Sequence, residues 1–485
     1  MPHPTATHWI GGESVAMGHI RESVNPATAE VIGTYRDGGA EVASRAIASA
    51  ATAFKTTLWR SDPMARAGAL SHLADAYASR LDDIIDSVCR ENGKMRREAT
   101  YEASHIVRCL RFSAGLATQN FGRVLDVKPG TQSLSLRQAA GVAGLIIPWN
   151  SPAYLMIRAL APALAAGCTA VVKMPAEAAQ TAALASQIVA SVPEIPAGAV
   201  NIFIESGAEG AKLMVESPEV PVIHFTGSTA TGRRIAQAAA VHLKRVGLEL
   251  GGKTPHLVFD DADLEALLPV LEKSATVFAG QFCMTGSRIL VQRAIASRLQ
   301  SELAMKLERV RPGAASAADS DMGPMIDKAA VLRVNAMVEE AIAQGAQPIV
   351  RGGPAISPAL SEGAFYRPTL LAVTSSDLRI VQDEVFGPVQ TLQVFDTEEE
   401  AIALANDTQY GLSACVWSRD VDRPMRVARR LEAGLISINS WANLAVEIEE
   451  GGFKYSGMGR LGGPSAMDDF LETKQISQTF AMPSA

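Results

Sequence analysis

The chain has 485 residues, 48% of them hydrophobic and 20% charged, which is typical of a globular protein with two or three structural units. Its formal net charge of −7 argues against nucleic-acid binding, because contact with phosphates requires a basic surface. No apolar run approaches the roughly 18 residues of a membrane span, and the N-terminus lacks the basic and apolar segments of a secretory signal, so we expect no membrane partner.

The first third of the chain is predicted to begin with short strands and to continue with helices. Residues 25–28 (Asn-Pro-Ala-Thr) predict a turn between strands, and apolar residues recur at helical spacing over residues 40–54 and 63–117. Residues 124–145 are rich in strand signals, including the alternation Ser-Leu-Ser-Leu-Arg at 133–137.

Strand and helix patterns alternate from residue 143 onward. The expected strands are 143–147, 169–173, 200–204, 222–225, 255–259, 288–291 and 389–395, and the expected helices are 152–166, which ends at Gly167, and 181–189. Strands separated by helices favour right-handed crossovers in a parallel sheet. The pattern therefore predicts an α/β fold with two α/β units that meet near Glu249. Residues 470–480 predict a polar terminal strand, of the kind that pairs with another subunit's edge.

The five cysteines are scattered and form no CxxC pair: Cys89, Cys109, Cys168, Cys283 and Cys415. This spacing indicates free thiols and neither a disulfide framework nor a zinc site, so we predict no bound metal and a cytoplasmic location.

One of these cysteines lies in a setting that favours reactivity. Cys283 stands in the run Gly-Gln-Phe-Cys-Met-Thr-Gly at 280–286, which is polar and flexible, whereas the other four lie in apolar or helical contexts. A thiolate there would serve as a nucleophile. The alternative is a small buried apolar side chain, which is the commoner role of an isolated cysteine.

Two polar residues upstream supply the other parts of covalent chemistry on a carbonyl. Glu249 lies between two leucines in a Gly-rich turn, where burial would raise its pKa and suit it to act as a base. The alternative is a salt-bridged glutamate at a strand end. Asn150 ends an apolar run, and its amide is a candidate oxyanion donor, a cap for the helix from residue 152, or both.

Residues 225–232 (Phe-Thr-Gly-Ser-Thr-Ala-Thr-Gly) follow an expected strand and open a helix. Gly227 and Gly232 would let the backbone approach a phosphate at the helix N-terminus. The GxxxxG spacing matches neither the dinucleotide GxGxxG motif nor a P-loop, so an ordinary helix-opening turn is the alternative.

Taken together and in this order, these segments resemble the aldehyde dehydrogenase superfamily over essentially the whole chain. The matching blocks are Pro-Trp-Asn at 148–150, Phe-Thr-Gly-Ser at 225–228, Glu-Leu-Gly-Gly-Lys at 249–253, Gly-Gln-Phe-Cys at 280–283, Glu-Val-Phe-Gly-Pro at 384–388 and Gly-Met-Gly-Arg at 457–460.

The resemblance implies a fold of two α/β domains with parallel sheets, one a Rossmann-like cofactor domain and the other catalytic, plus a small β oligomerisation arm. The implied boundaries are 1–122 with 140–249 for the discontinuous cofactor-binding domain, 250–455 for the catalytic domain, and 123–139 with 466–485 for the arm. A homodimer or homotetramer is expected, with the arm in the subunit contacts.

The resemblance also implies oxidation of a small-molecule aldehyde to a carboxylic acid with NAD(P)+ as hydride acceptor. Cys283 would attack the carbonyl and form a thiohemiacetal. Asn150 and the Cys283 backbone N–H would hold the oxyanion. Loss of hydride would leave a thioester, which water activated by Glu249 would hydrolyse.

Further residues are implied to bind the cofactor. Lys173 would bond the adenosine ribose, Gly227 would face the pyrophosphate, and Glu384 would hold the nicotinamide ribose. The full implied set is Ile147, Pro148, Trp149, Lys173, Ala176, Gly227, Ser228, Gly232, Leu250, Glu384 and Phe386. Members that prefer NAD usually carry an acid three residues after the lysine; this chain has Ala176 there and Glu177 one place later, so NAD is expected and NADP is the alternative.

The implied substrate-tunnel residues are Tyr154, Leu155, Arg158, Phe282, Met284, Leu444 and Glu450. Arg158 and Glu450 stand where relatives often have aromatic side chains, which predicts an altered tunnel. The alternative is that these two residues pair with each other, or with other charges away from the substrate.

Two other functions are open to such a chain. A CoA-acylating semialdehyde dehydrogenase would pass the thioester to CoA, but relatives of that kind typically lack the base at Glu249. A catalytically inactive binding scaffold of the same fold is the second, and the intact Cys283, Glu249 and Asn150 argue against it.

Overall fold

The computed structural model describes residues 5–119, 122–355 and 357–480. Residues 1–4, 120, 121, 356 and 481–485, which fall within the predicted domain ranges, lie outside this described part. The α-helices are α1 (Ala40–Thr56), α2 (Pro63–Ala78), α3 (Leu81–Asn92), α4 (Arg96–Ala117), α5 (Pro152–Ala166), α6 (Ala179–Ala190), α7 (Glu209–Glu216), α8 (Thr229–Ala240), α9 (Leu264–Thr276), α10 (Arg293–Glu308), α11 (Lys328–Ala343), α12 (Arg379–Gln382), α13 (Glu398–Asn406) and α14 (Arg423–Ala428).

The strands are β1 (Thr5–Ala6), β2 (His8–Ile10), β3 (Glu13–Val15), β4 (His19–Val24), β5 (Val31–Asp37), β6 (Arg123–Lys128), β7 (Thr131–Ala139), β8 (Val142–Ile146), β9 (Thr169–Pro175), β10 (Val200–Glu205), β11 (Val222–Thr226), β12 (Arg245–Glu249), β13 (Pro255–Val258), β14 (Arg288–Gln292), β15 (Gln347–Val350), β16 (Gly353–Pro354), β17 (Tyr366–Arg367), β18 (Thr369–Ala372), β19 (Val389–Phe395), β20 (Tyr410–Gly411), β21 (Ser413–Trp417), β22 (Leu435–Ile438), β23 (Phe453–Lys454), β24 (Gly457–Met458) and β25 (Leu471–Thr479).

The first large sheet has the strand order β24-β12-β11-β8-β9-β10-β2-β3. Its five central strands are mutually parallel, and the short edge strands β24, β2 and β3 are antiparallel. The chain builds outward from β8 to β9 and β10 on one side and to β11 and β12 on the other. Such a reversal of strand order opens a crevice at the carboxyl ends of the parallel strands, where ligands bind in α/β sheets.

The second large sheet has the order β15-β18-β19-β14-β13-β21-β22 and is parallel except for β15. Buried helices cover it, with α9 and α10 contributing a row of leucines to its core. The predicted α/β class is therefore confirmed, with antiparallel edges added to both sheets.

A third, three-stranded antiparallel sheet has the order β25-β7-β6. β25 pairs with β7 over its whole length, from Leu471 opposite Ala139 to Thr479 opposite Thr131. The terminal strand predicted over residues 470–480 is confirmed, with the bounds Leu471–Thr479. β6 is exposed along all of its length and lies at the other edge.

Helix α5 is the most deeply buried element that bears on the site. It packs against α4 and β9, and it ends at Gly167, whose φ of 94° is a left-handed conformation that glycine adopts without strain. Searched over the described ranges, no helix combines the length and apolarity that crossing a membrane demands.

One local prediction is wrong. The sequence analysis places Glu249 in a Gly-rich turn, whereas Glu249 is the last residue of β12 and pairs in register with Thr226 at the end of β11. The turn begins only at Leu250, because the strand's hydrogen bonds to β11 continue to its final residue. The domain boundaries given above stay a prediction.

Candidate active site

The candidate residues meet where the carboxyl ends of the first sheet face loops of the second. Asn150 follows β8, and Glu249 ends β12. The Asn150 Nδ2 donates a hydrogen bond of 3.1 Å to the carbonyl of Gln281, two residues before Cys283. The Glu384 carboxylate accepts one of 3.1 Å from the Gly252 backbone N–H. Nucleophile, amide and both carboxylates therefore belong to one region.

The loop that carries Cys283 is held by an unusual backbone. Phe278 and Ala279 both have φ of 52°, and Gly280 follows with φ of 71°. Left-handed backbone at a non-glycine residue costs on the order of 1–3 kcal/mol and is concentrated at functional sites. A Cβ at Gly280 would lie 2.2 Å from the backbone of Gly387, so that position requires glycine.

A network of buried charges supports this strained turn. Glu98 Oε1 accepts a hydrogen bond of 3.1 Å from the Phe278 N–H, which fixes the start of the turn. Lys94 pairs with Glu102, lies 4.0 Å from the centre of the Phe278 ring, and donates a bond of 3.1 Å to Ser151 Oγ. The network thus ties helix α4 to the cysteine loop and to the segment that follows Asn150.

Glu102 also caps the N-terminus of helix α5. Its Oε1 accepts hydrogen bonds from the N–H groups of Ala153 at 2.9 Å and Tyr154 at 3.2 Å. Asn150, by contrast, precedes the N-cap position and donates its amide to Gln281. The expectation that Asn150 could cap this helix is wrong, because a carboxylate from α4 satisfies the helix N-terminus.

The thiol of Cys283 is half-buried. Burial raises its pKa to about 12, while the nearby Arg158 guanidinium acts in the opposite direction. The carboxylates of Glu384, Glu249 and Glu450 raise the pKa further. This burial agrees with the apolar alternative for Cys283, while the hydrogen bond from Asn150 to its loop and the nearby carboxyl group of Glu249 agree with a reactive thiol.

Glu249 is buried in contact with a second charged pair. Arg158 Nη2 lies 3.5 Å from Glu249 Oε2, and Arg158 Nη1 lies 2.8 Å from Glu450 Oε1. Burial raises the pKa of Glu249 to about 8, Arg158 lowers it and Glu450 raises it. The alternative prediction, a salt-bridged glutamate at a strand end, is therefore confirmed. With a pKa of about 8, the carboxyl group of Glu249 also changes charge near neutral pH.

The predicted pairing of Arg158 with Glu450 is confirmed, but the pair does not lie away from the candidate site. The other predicted tunnel residues are dispersed. Phe282 stacks edge-on with Phe278 and Trp441, at ring-centre distances of 5.7 and 5.8 Å. Met284 is buried and accepts a hydrogen bond of 2.8 Å from Trp441 through its carbonyl.

A cavity of about 840 Å³ opens beside these rings and is lined by Tyr101, Phe278, Phe282 and Trp441, among others. Tyr154 approaches Tyr101 through the ring of His105, at centre distances of 5.3 and 4.6 Å. Leu155 packs against the core of the first sheet, and Leu444 lies in the loop after Trp441. Of the predicted tunnel residues, Phe282 is the one that lines this cavity.

Two of the residues predicted to bind a dinucleotide follow the carboxyl end of β11 in the first sheet. The turn from β11 to α8 presents Gly227 and Ser228, and Ser228 caps the 12-residue helix by accepting from the Thr231 N–H. The free N–H groups of that helix start suit a pyrophosphate. A Cβ at Gly232 would lie 2.4 Å from the Leu250 side chain, so glycine also has a packing role at this position. It allows close packing of α8.

Other members of the cofactor set cluster at the same edge. The Ile147 N–H bonds the Lys173 carbonyl at 3.1 Å, and Pro148 follows directly. The rings of Trp149 and Phe386 meet edge-on at 5.5 Å. Burial raises the pKa of Glu384 to about 7. Its carboxyl oxygens can accept hydrogen bonds from hydroxyl groups. The donors and acceptors present therefore fit a dinucleotide.

Lys173 lies among acids. Burial lowers its pKa, and the carboxylates of Glu205, Glu177 and Asp37 act against that shift. Ala176 is half-buried in a short 3-10 turn, and Glu177 is exposed beside it.

Several supporting residues escaped the sequence analysis: Lys94, Glu98, Tyr101, Glu102, Gln281 and Trp441. The sequence could have identified Glu98 and Glu102 as buried acids, because residues four apart share one helix face and these two interrupt the apolar face of α4.

Among the described residues, no group of three His, Cys, Asp or Glu side chains is placed to hold a metal ion.

Comparisons with known proteins agree with this geometry. A model of the aldehyde dehydrogenase family matches residues 9–476. Betaine aldehyde dehydrogenase of Bacillus subtilis (strain 168) is 36% identical over 470 residues, spanning 96% of this chain and 95% of that protein. The 2-aminomuconic semialdehyde dehydrogenase of Danio rerio is 35% identical over 484 residues, spanning 98% of this chain and 99% of that protein.

Solved structures give the same result. A betaine aldehyde dehydrogenase from Staphylococcus aureus, crystallised in complex with NAD+, is 33% identical and aligns with a TM-score of 0.96 over 99% of this chain and 96% of that one. The resemblance stated from sequence and the fold it implies are both confirmed.

Proposed function

The chain belongs to the aldehyde dehydrogenase family and is an NAD(P)-dependent aldehyde dehydrogenase, and from this premise we propose that it works through a covalent thioester on Cys283. The observation that carries the proposal is the 3.1 Å hydrogen bond from the Asn150 amide to the Gln281 carbonyl. It fixes a side-chain donor beside the loop of Cys283, a half-buried free thiol that lies near the charged groups of Arg158 and Glu249.

Attack by the Cys283 thiolate on the aldehyde carbonyl carbon converts the carbonyl oxygen into an oxyanion. The second N–H of the Asn150 amide and the Cys283 backbone N–H stabilise that oxyanion, and fixed donors of this kind act where charge develops. NAD(P)+ supplies the acceptor for the hydride that leaves the thiohemiacetal carbon. A thioester on Cys283 results.

Glu249 completes the reaction as a general base. With a pKa of about 8 it exchanges protons readily with water near neutral pH, which is the property a base needs. Water that gives its proton to Glu249 attacks the thioester carbon. The bond between that carbon and the Cys283 sulfur then breaks, which releases the carboxylic acid and returns Cys283 as a thiolate. A CoA-acylating route would make this carboxylate unnecessary, so its presence favours hydrolysis.

The cofactor is proposed to be NAD rather than NADP. The carboxylates of Glu205, Glu177 and Asp37 surround Lys173, where the adenosine ribose would bind. A 2′-phosphate would bring further negative charge into this acidic surrounding, whereas ribose hydroxyls would gain acceptors. Ala176 alone does not remove the repulsion, because Glu177 stands next to it.

Assembly through the arm is also proposed. The exposed edge strand β6 carries three exposed apolar side chains, Val124, Leu125 and Val127. An exposed apolar edge is a hazard unless another chain covers it. We propose a homodimer or homotetramer that buries this edge, with the domain ranges given above and a cytoplasmic location.

The deciding experiment supplies purified protein with NAD or NADP and a panel of aldehydes. Betaine aldehyde and semialdehydes, which the relatives' names point to, belong in that panel. Reduction of cofactor that disappears in Cys283→Ala, with free acid as product, supports the proposal. Acyl-CoA formed at the expense of acid in the presence of CoA would overturn hydrolysis as the last step.

A further inference from the structure

Arg158 joins two carboxylates in a place that water hardly reaches. Its side chain is 8% exposed, that of Glu249 is 6% exposed and that of Glu450 is 8% exposed. The two contacts differ: the distance to Glu450, 2.8 Å, is that of a hydrogen bond, whereas the distance to Glu249, 3.5 Å, is that of a looser ion pair. One guanidinium thus divides its charge unequally between two acids.

All three side chains come from segments with a fixed backbone. Arg158 lies in the second turn of α5, whose start is held by Glu102. Glu249 ends a strand inside the first sheet. Glu450 exchanges two backbone hydrogen bonds with Leu461, at 2.7 and 2.9 Å. The unequal sharing is therefore set by the fold and does not depend on a mobile loop.

Glu249 keeps part of its hydrogen-bonding capacity unused. Within the described residues its Oε1, together with Arg158 Nε and Glu450 Oε2, is buried without a hydrogen-bond partner. A carboxylate held through one oxygen only retains the other for water. We propose that Arg158 is a positioning residue for the general base, and that Glu450 determines how much of the guanidinium charge Glu249 receives. This inference rests on the proposed role of Glu249 as that base.

The electrostatics give this proposal two opposite consequences. Removing the Arg158 charge withdraws what stabilises ionised Glu249, so the pKa of Glu249 rises. Neutralising Glu450 removes a repelling charge and frees Arg158 to approach Glu249, so the same pKa falls. If Arg158 and Glu450 had a purely structural role, the two substitutions would not shift the pKa of Glu249 in opposite directions.

Two other ionisable groups act on Glu249 and are present in both variants. Arg460 lowers its pKa and Asp469 raises it. Cys283 carries the acyl group in the species whose decay is measured, so it does not titrate there. Burial lowers the pKa of the neighbouring His224 to about 3, so that ring is neutral in the working range.

The test compares Arg158→Gln and Glu450→Gln in the whole enzyme. Rapid quench and intact-mass measurement follow the decay of the acyl group on the protein at a series of pH values. Since one close opposite charge shifts a carboxyl pKa by roughly 1–3 units, we expect the midpoint of decay to move upward by about one unit or more in Arg158→Gln. In Glu450→Gln we expect it to move downward by about one unit.

Two further variants sharpen the result. Arg158→Lys keeps a cation and should return the midpoint toward that of the wild type. Glu447→Gln removes an exposed carboxylate of the same loop, paired with Arg108 at 2.7 Å, and should leave the midpoint unchanged.

Midpoints that move in the same direction, or stay fixed in both folded variants, overturn the inference. If Arg158→Gln does not fold, the isosteric Glu450→Gln decides: a downward shift supports the inference and an upward or absent shift refutes it. Failure of the underlying mechanism looks different, because acyl decay would then continue at the wild-type rate in Glu249→Gln.

Discussion

Replacing Glu249 with glutamine tests the proposed chemistry most directly. The amide has the shape of the carboxyl group but cannot accept a proton at neutral pH. Arg158 keeps its 2.8 Å partner Glu450, so no buried charge is left alone and the variant should fold. What changes is the acid–base chemistry at the end of β12.

The magnitude follows from the pKa of about 8. At pH 7 about one tenth of Glu249 is ionised, and at pH 9 about nine tenths, so turnover limited by hydrolysis should rise roughly tenfold between these values in the wild type. Glu249→Gln should lose roughly 10²-fold or more in steady-state rate, the usual contribution of a general base. The rise with pH should disappear with it.

Stopped-flow absorbance of the reduced cofactor separates the two stages. We expect a burst of about one reduced cofactor per active site in the variant, followed by slow turnover, because hydride loss precedes hydrolysis. If Glu249 also takes the proton of Cys283, the burst slows but keeps its amplitude. Full steady-state turnover in the variant, or a burst that vanishes altogether, would refute the assignment.

Three further predictions use the same protein. Asn150→Ala should slow the burst by about 2.7–4 kcal/mol of barrier, the loss of one oxyanion donor; a burst rate equal to that of the wild type in rapid mixing would exclude Asn150 from this role. Glu102→Gln leaves the buried Lys94 ammonium without its carboxylate and should lower the denaturant midpoint by the equivalent of about 3–5 kcal/mol. Glu447→Gln, which breaks an exposed pair, should barely move that midpoint, and equal midpoints for the two variants would contradict the buried-pair argument. Glu177→Gln should raise kcat/KM with NADP relative to NAD, because it removes one of the carboxylates that face Lys173; an unchanged ratio in initial-rate kinetics would place the 2′-phosphate elsewhere.

Local periodicity predicted most of the framework around the site. The helix expected at 152–166 has those bounds, and the strand expected at 389–395 does too. These elements could be predicted because the sequence patterns that specify them are local. A glycine ends the helix, and a run of apolar residues forms the buried strand. The order of strands and helices then limited the topology to parallel sheets.

The supporting contacts could not be read in this way, because they join distant parts of the chain. Glu98 holds the Phe278 N–H across 180 residues, and Arg158 reaches Glu450 from another segment altogether. The sequence analysis identified Arg158 and Glu450 only as charged residues at positions where relatives often have aromatic ones. Only the fold shows that a third charge, Glu249, belongs to the same group. Likewise, the left-handed backbone at Phe278 and Ala279 could not be predicted, because neither residue is a glycine.

Burial displaces several ionisable groups around the thiol toward their neutral forms, whereas Arg158 stays charged. Burial raises the pKa of Cys283 to about 12, of Glu249 to about 8 and of Glu384 to about 7, and lowers that of Lys253 to about 7. A positive charge brought close to Cys283 would lower the thiol pKa, since an opposite charge favours the ionised form. We therefore expect the thiol of Cys283 to ionise more readily when a cationic ligand lies close to it. Because oxidation of cysteine proceeds through the thiolate, the same burial protects the resting thiol.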